Sequence, residues 1–193
     1  MHLPFGGSHG GIRCDPKRLS FEEKRKIVRK YTEELAKHDF CGPATDVMGP
    51  DIGLNENLMG VMMDAYRMKH PKDVHCLATV TGKPREVGGI TAREEASGLG
   101  VFFALKEYLN DKDFCERAGF KKSGLKGKSV IIAGLGQVGY NFGKFAQDAG
   151  MKVVGVLQRE ECLYNPRGMD VRDVKIYKAQ NGTLEGFPDA MCY

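Results

Sequence analysis

The chain has 193 residues, of which 41% are hydrophobic and 28% charged, and its formal net charge is +4. This length allows one or two domains with a hydrophobic core, and the absence of a long apolar run predicts a soluble protein without a membrane span. The cysteines are scattered without the spacing of a zinc site, so we expect no metal, and reduced thiols in an intracellular compartment, cytoplasmic or on the mitochondrial matrix side. The basic residues at 17–30 alternate with glutamates, which is typical of a solvated helix face and gives no expectation of nucleic-acid binding.

The chain begins with a loop rich in glycine. Residues 4–12 read Pro-Phe-Gly-Gly-Ser-His-Gly-Gly-Ile, and so few side chains suit a close backbone approach better than a hydrophobic core. Ser20 and Glu23 then form a capping box, and apolar residues follow at helical spacing. This pattern predicts a helix over about 20–37.

Three further elements are predicted before residue 110. Residues 44–47 indicate a short strand, and the apolar spacing around 58–65 indicates a second amphipathic helix. A second capping box at Thr91 and Glu94 predicts a third helix. Its expected buried side chains are Val101, Phe102, Leu105 and Leu109, and its expected points of close packing are Gly98 and Gly100.

Residues 129–156 have the pattern of a strand, a glycine-rich turn, a helix over about 138–149 and a second strand. The turn is Gly-x-Gly-x-x-Gly, with Gly134 expected to form the turn, Gly136 to admit a pyrophosphate and Gly139 to allow close helix packing. Gln137 and Val138 lie between these glycines, where a helix N-terminus would meet the phosphates. The pattern indicates dinucleotide binding; the alternative is that the glycines serve only a tight turn.

The end of the second strand departs from the usual pattern. An acidic residue for the ribose hydroxyls is expected about 20 residues after the glycines. Gln158 and Arg159 stand there instead, which weakens the case for ordinary NAD binding, while Arg159 offers a cation to the 2′-phosphate of NADP.

The remaining patterns concern domain organisation. The polar, glycine-containing segment 110–128 suggests a division into domains at 1–115 and 116–193. A turn at 165–168 precedes a predicted helix over 170–180.

Taken together, these motifs resemble the glutamate dehydrogenase family of amino-acid dehydrogenases. Residues 4–12 resemble P-F-G-G-A-K-G-G-I, residues 46–53 resemble D-V-P-A-P-D-V-G, and residues 134–139 resemble G-F-G-N-V-G. Further similar motifs lie at 81–84, 88–101 and 164–170.

The resemblance implies an α/β fold, with a partial substrate domain followed by a truncated Rossmann-like dinucleotide-binding unit. It implies oxidative deamination with NAD or NADP as cofactor, in which an aspartate handles protons and a lysine assists the attacking water. The aspartate corresponds to Asp51, but His9 occupies the lysine position. Arg93 keeps a family arginine at the cofactor site, and Ser97 replaces a threonine there.

The departures and the retained residues leave two hypotheses for the function. The first is a catalytically degenerate accessory or structural subunit of a larger assembly, since histidine lacks the long cationic stem of lysine and the chain matches only part of the family pattern. The second is part of an active NAD(P)-dependent glutamate dehydrogenase, favoured by the retained Asp51 and glycine turn. On either hypothesis we expect partner chains, because the two predicted strands at 130–133 and 153–156 are apolar on both faces.

Overall fold

A computed structural model describes residues 7–193, so Pro4, Phe5 and Gly6 of the first glycine loop lie outside the described residues. Contacts divide the chain into two compact units, one ending at Arg93 and the other running from Glu94 to Tyr193. This separation falls earlier than the division at 115/116 suggested by the sequence, because the third helix packs within the second unit. No helix in the described part of the chain has both the length and the apolarity needed to cross a membrane.

Two helices, α1 (Phe21–Lys37) and α2 (Glu56–Lys69), pack together in the first unit. The Ser20 hydroxyl accepts a hydrogen bond from the Glu23 amide at 3.3 Å, while the Glu23 carboxylate accepts one from the Ser20 amide at 2.8 Å. Both predicted helices and the first capping box are therefore confirmed. The buried residues between them are Val28, Leu58, Met59, Met62, Met63 and Val80.

The strand predicted at 44–47 is wrong. The Thr45 amide donates to the Gly42 carbonyl at 3.2 Å, so this segment closes a turn. Asp46 forms an isolated bridge with Gly42, and Met48, just after the segment, forms another with Val80. Pro43 is the physical reason, because it lacks an amide hydrogen for a ladder and favours a turn.

A four-stranded sheet forms the centre of the second unit, in the order β1 (Ser129–Ala133), β2 (Lys152–Leu157), β3 (Cys162–Tyr164), β4 (Met191–Cys192). β1 and β2 are parallel, and the other two pairings are antiparallel. The predicted strand-helix-strand unit is therefore confirmed. β3 and β4 were missed, because three and two residues are too few to show an alternating pattern.

Four helices accompany this sheet: α3 (Arg93–Asn110), α4 (Lys112–Arg117), α5 (Gln137–Asp148) and α6 (Val171–Asn181). The last two confirm predictions, and Asp170 caps α6 through the Arg172 amide at 2.7 Å. The core contains Ile132 from β1, Val156 from β2 and Leu163 from β3, which pair across the strands and share one face.

The opposite face of the sheet is not covered by the described residues. Ile131, Tyr164 and Met191 belong to one cross-strand row and are 55%, 39% and 48% exposed. Leu157, in the next row, is 44% exposed. The sheet is therefore apolar on both faces but buried on one.

α3 differs from its prediction in three respects. It begins at Arg93, directly after Ala92, whose φ is +63°. Among the described residues no hydrogen bond joins Thr91 to Glu94, so the predicted second capping box is wrong. Val101 is 46% exposed, although Leu109 is buried as expected. An added Cβ at Gly98 would lie 2.7 Å from the Cβ of Asn141, which confirms close packing there, whereas Gly100 has no neighbour within 4 Å.

Candidate functional site

The three glycines of the turn between β1 and α5 lie in different environments. Gly134 has φ +88°, which side chains disfavour. A Cβ on Gly139 would collide with the carbonyl oxygen of Gly134. A Cβ on Gly136 would meet nothing within 4 Å, so the turn leaves open space beside this residue.

This open space lies at the N-terminus of α5. Gly136 is the N-cap residue, and no side chain caps the first turn. Gln137 and Val138 follow, both exposed, so the backbone at the start of the helix faces the surface. Uncapped amides and the positive end of the helix dipole suit a phosphate group, and the turn therefore fits the pyrophosphate of a dinucleotide.

The end of β2 lies beside this turn. The Gly134 amide donates to the carbonyl oxygen of Leu157 at 2.8 Å, so the next two residues, Gln158 and Arg159, follow at the same edge of the sheet. Gln158 is half-buried and Arg159 is exposed. The Nε2 atom of Gln158 is buried and has no hydrogen-bond partner among the described residues.

Glu161 ends the tight turn that joins β2 to β3. The Gln158 amide donates to its carbonyl oxygen at 2.7 Å, which closes the turn. Its carboxylate accepts hydrogen bonds from the Thr183 hydroxyl and from the Leu184 amide, the latter at 3.1 Å. These bonds, the Thr183 bond most strongly, lower the pKa of Glu161, so the carboxylate is engaged within the protein.

The start of α3 lies against the start of α5. The buried side chain of Asn141 donates from Nδ2 to the carbonyl oxygens of Glu94 at 3.1 Å and Gln137 at 2.9 Å. Arg93 is half-buried at the first position of α3, and Ser97 is exposed one turn later. The sequence does not predict this role of Asn141, whose only signal is an amide side chain directly beside the apolar stripe of α5.

The first unit brings His9 and Asp51 together. His9 Nε2 lies 3.3 Å from Asp51 Oδ2, and the two side chains are 83% and 64% exposed. The Ile52 amide donates to Asp51 Oδ1 at 2.8 Å, which holds the carboxylate. The two predicted catalytic residues therefore meet in a position open to solvent.

Comparisons with known proteins cover both units. Residues 1–68 match the family described as Glu/Leu/Phe/Val dehydrogenase, dimerisation domain. Residues 88–192 match the family described as Glutamate/Leucine/Phenylalanine/Valine dehydrogenase. The mitochondrial glutamate dehydrogenase of Dictyostelium discoideum is 42% identical over 190 residues, 98% of this chain and 38% of that protein. A probable glutamate dehydrogenase of Sinorhizobium fredii is 35% identical over 192 residues, again 98% of this chain and 43% of the relative.

Solved structures give the same result. The hetero-hexameric glutamate dehydrogenase of Thermus thermophilus, in its Leu-bound form, superposes with a TM-score of 0.82 at 38% identity, over 96% of this chain and 42% of that one. The glutamate dehydrogenase of Peptoniphilus asaccharolyticus gives a TM-score of 0.68 at 31% identity, over 95% and 45%. The chain thus spans less than half the length of these relatives.

Proposed function

Within the family of glutamate, leucine, phenylalanine and valine dehydrogenases, to which the chain belongs, we propose that it is a nucleotide-binding accessory subunit. It does not itself oxidise amino acids. It would act as a structural component of a larger assembly that contains other chains. Three of its features carry separate parts of this proposal: the site of His9 and Asp51, the glycine turn at 134–139, and the uncovered face of the sheet.

The observation that carries the loss of catalysis is the histidine at position 9, where the family resemblance implies a lysine. The imidazole and the carboxylate are 3.3 Å apart and mostly in solvent. Hydride transfer from an amino acid benefits from a site that excludes water and stabilises developing charge. An imidazole lacks the long cationic stem of the lysine that the family resemblance implies at this position.

The glycine turn supports retention of nucleotide binding. Gly134, Gly136 and Gly139 leave the N-terminus of α5 open to a pyrophosphate, with Gln137 and Val138 supplying first-turn backbone. Arg93 and Ser97 would contact the nucleotide from α3, and Gln158 and Arg159 from the end of β2. When bound, NAD or NADP can accept a hydride.

The uncovered face of the sheet supports the accessory role. Ile131, Leu157 and Tyr164 present apolar surface that soluble monomers normally bury against a partner. The Thermus thermophilus relative is described as hetero-hexameric, and the Dictyostelium discoideum relative as mitochondrial. These observations support our proposal that the chain belongs to a hetero-assembly or homo-oligomer of the mitochondrial matrix or cytoplasm.

Substitution of Gly136→Asp tests nucleotide binding. The position is open, its φ of −77° suits any residue, and aspartate is a good N-cap, so the fold should keep its stability. The new carboxylate would repel the pyrophosphate, and we expect the affinity for NAD and NADP to fall at least about tenfold in calorimetric titrations. Unchanged affinity, or no binding by the unsubstituted chain, would contradict the proposal.

The accessory role has its own experiment. Native mass spectrometry of the protein isolated from its source should find it bound to other chains, with little or no monomer. An isolated monomer with glutamate dehydrogenase activity would contradict it.

The second candidate is an active glutamate dehydrogenase of which this chain forms part. The proximity of His9 Nε2 to Asp51 Oδ2 favours it, because an imidazole held by a carboxylate can act as a general base.

A further inference from the structure

Two surfaces of opposite charge lie on different helices of the chain. We infer that the chain binds a second copy of itself through them, a groove beside α6 on one copy receiving the exposed face of α1 on the next. This contact uses neither the glycine turn nor the uncovered face of the sheet, so it is independent of the proposed function.

The first surface, the α6 groove, is a depression of about 450 Å³ between α6 and the loops on either side of it. Its apolar lining includes Ile176, which is 55% exposed, and the edge-to-face pair of Tyr177 and Phe187, whose ring centroids are 5.4 Å apart. Its charged lining consists of three carboxylates: Asp170, Asp173 and Asp189.

The cations nearest to Asp173 along α6 are engaged away from this groove. Arg172 Nη2 donates to both carboxylate oxygens of Asp148, at 2.8 and 3.0 Å. Lys175 Nζ lies over the ring of Tyr140, 5.5 Å from its centroid. These two side chains therefore leave much of the negative charge of the groove uncompensated.

Two of the three carboxylates are available to a partner. Asp170 caps α6 and lies 4.0 Å from Arg172 Nη1. Asp173 and Asp189 are exposed, and neither side chain makes an ion pair or a hydrogen bond in the described part of the chain. Negative charge beside exposed apolar side chains suits a partner that is basic and partly apolar.

The chain itself presents such a surface, the α1 patch. This is a hollow of about 460 Å³ beside α1, with an apolar floor and lysines at its rim. Lys30 donates to Glu34 at 2.8 Å, whereas Lys26 is exposed and forms no ion pair within residues 7–193. The lining residues are Ile12, Lys26, Ile27, Lys30, Tyr31 and Glu34.

The spacing of charged and apolar residues matches on the two helices. Asp173 precedes Ile176 by three positions, so the two side chains lie about one turn apart on the same face of α6. Lys26 and Lys30 lie on either side of Ile27 along α1. When Ile176 enters the hollow beside Ile27 of a second copy, the Asp173 carboxylate comes close to these ammonium groups, and both isoleucines are removed from water.

The contact is heterologous, because each copy contributes a different surface to each of its two neighbours, and it can therefore repeat from copy to copy. Sedimentation of the chain at about 10–500 µM measures the dissociation constant. Lys26→Glu and Asp173→Lys each bring like charges together, and each should weaken the association at least about fivefold.

An equimolar mixture of the two variants gives the sharpest result. The Asp173→Lys chain keeps an unchanged α1 patch and the Lys26→Glu chain keeps an unchanged α6 groove, so the mixture contains a matching pair of surfaces. It should associate to within about threefold of the unsubstituted chain, and more strongly than either variant alone.

Lys72→Glu is the matched control, because Lys72 is exposed in the loop after α2 and belongs to neither surface. It makes the same change of charge and should leave the dissociation constant within about twofold. Circular dichroism verifies that each variant is folded.

Association through the uncovered face of the sheet is a separate process, which salt distinguishes. An increase in salt from about 0.05 to 0.5 M screens charges and should weaken the inferred contact, whereas it does not weaken a contact between apolar surfaces.

The absence of association, or a dissociation constant unchanged by both reversals, overturns the inference. An effect of Asp173→Lys without one of Lys26→Glu would mean that something other than α1 occupies the groove, and overturns it too. None of these outcomes affects the proposed nucleotide binding, which Gly136→Asp tests.

Discussion

Asn141 and Glu94 connect the two helices that flank the glycine turn. The Nδ2 atom of Asn141, on α5, donates to the carbonyl oxygen of Glu94, in the first turn of α3, at 3.1 Å. The same atom donates to the carbonyl oxygen of Gln137, the first residue of α5, at 2.9 Å. One buried amide therefore fixes the start of α5, and with it the glycine turn, to α3.

Asn141→Ala should lower the free energy of unfolding by about 1–3 kcal/mol, because it removes both bonds from a buried position. Urea denaturation measures this loss. Asn181→Ala is the control, since the Asn181 side chain makes a similar bond to Tyr177 at 2.9 Å within one helix but is exposed. It should change stability by less than about 0.5 kcal/mol. Equal losses in the two variants would show that the connection between helices contributes nothing.

Two glycines of α3 should respond to alanine in opposite directions. A Cβ at Gly98 would lie 2.7 Å from the Phe142 amide nitrogen, so Gly98→Ala forces α3 and α5 apart and should cost about 1–3 kcal/mol. Gly100 has open space, and Gly100→Ala should stabilise the helix by about 0.5–1 kcal/mol. Thermal unfolding of both variants measures the difference. A stabilising Gly98→Ala would contradict the packing of α3 on α5.

The hydrogen bonds of Glu161 predict a pH dependence of stability. Its pKa in the folded chain is lowered from 4.5, chiefly by Thr183, so the stabilisation is present above the unfolded value and is lost as the pH falls below about 4.5. Thr183→Val removes the main cause, and its stability should therefore decline less steeply over this range. Urea denaturation between about pH 3 and pH 7 gives both curves. The other carboxylates contribute the same pH dependence to the stability of both proteins. Parallel curves of unfolding free energy against pH would therefore contradict the role of Thr183.

What the sequence could predict depended on whether the determinants were local. α1, α2 and α6 have apolar periods and capping side chains in their own residues, and α5 has an apolar period. The spacing of Gly134, Gly136 and Gly139 indicates the turn before α5. Other features arise only from tertiary contact. The pairing of β3 with β4, the bonds of Glu161 to residues more than twenty positions away, and the contact of Asn141 with α3 leave no periodic trace in the chain.

The exposed face of the sheet predicts that the isolated chain associates or binds apolar dyes. Ile131→Thr should reduce both effects and change the free energy of unfolding by less than about 1 kcal/mol, since Ile131 is 55% exposed. Ile132→Thr, one position along, should cost about 2–4 kcal/mol because this side chain is 4% exposed. Light scattering and dye fluorescence provide the measurements. A monodisperse, non-dye-binding chain would contradict a partner on this face.

The rate of glutamate-dependent reduction of NAD or NADP by the purified chain tests the central claim most directly. We expect no increase in absorbance of the reduced nucleotide above background, because His9 and Asp51 are exposed and the imidazole does not replace a buried ammonium group. His9→Lys should not restore the rate, since it leaves the pair open to water. Turnover by the unsubstituted chain above roughly 1 per second, an ordinary enzymatic rate, would contradict the accessory role.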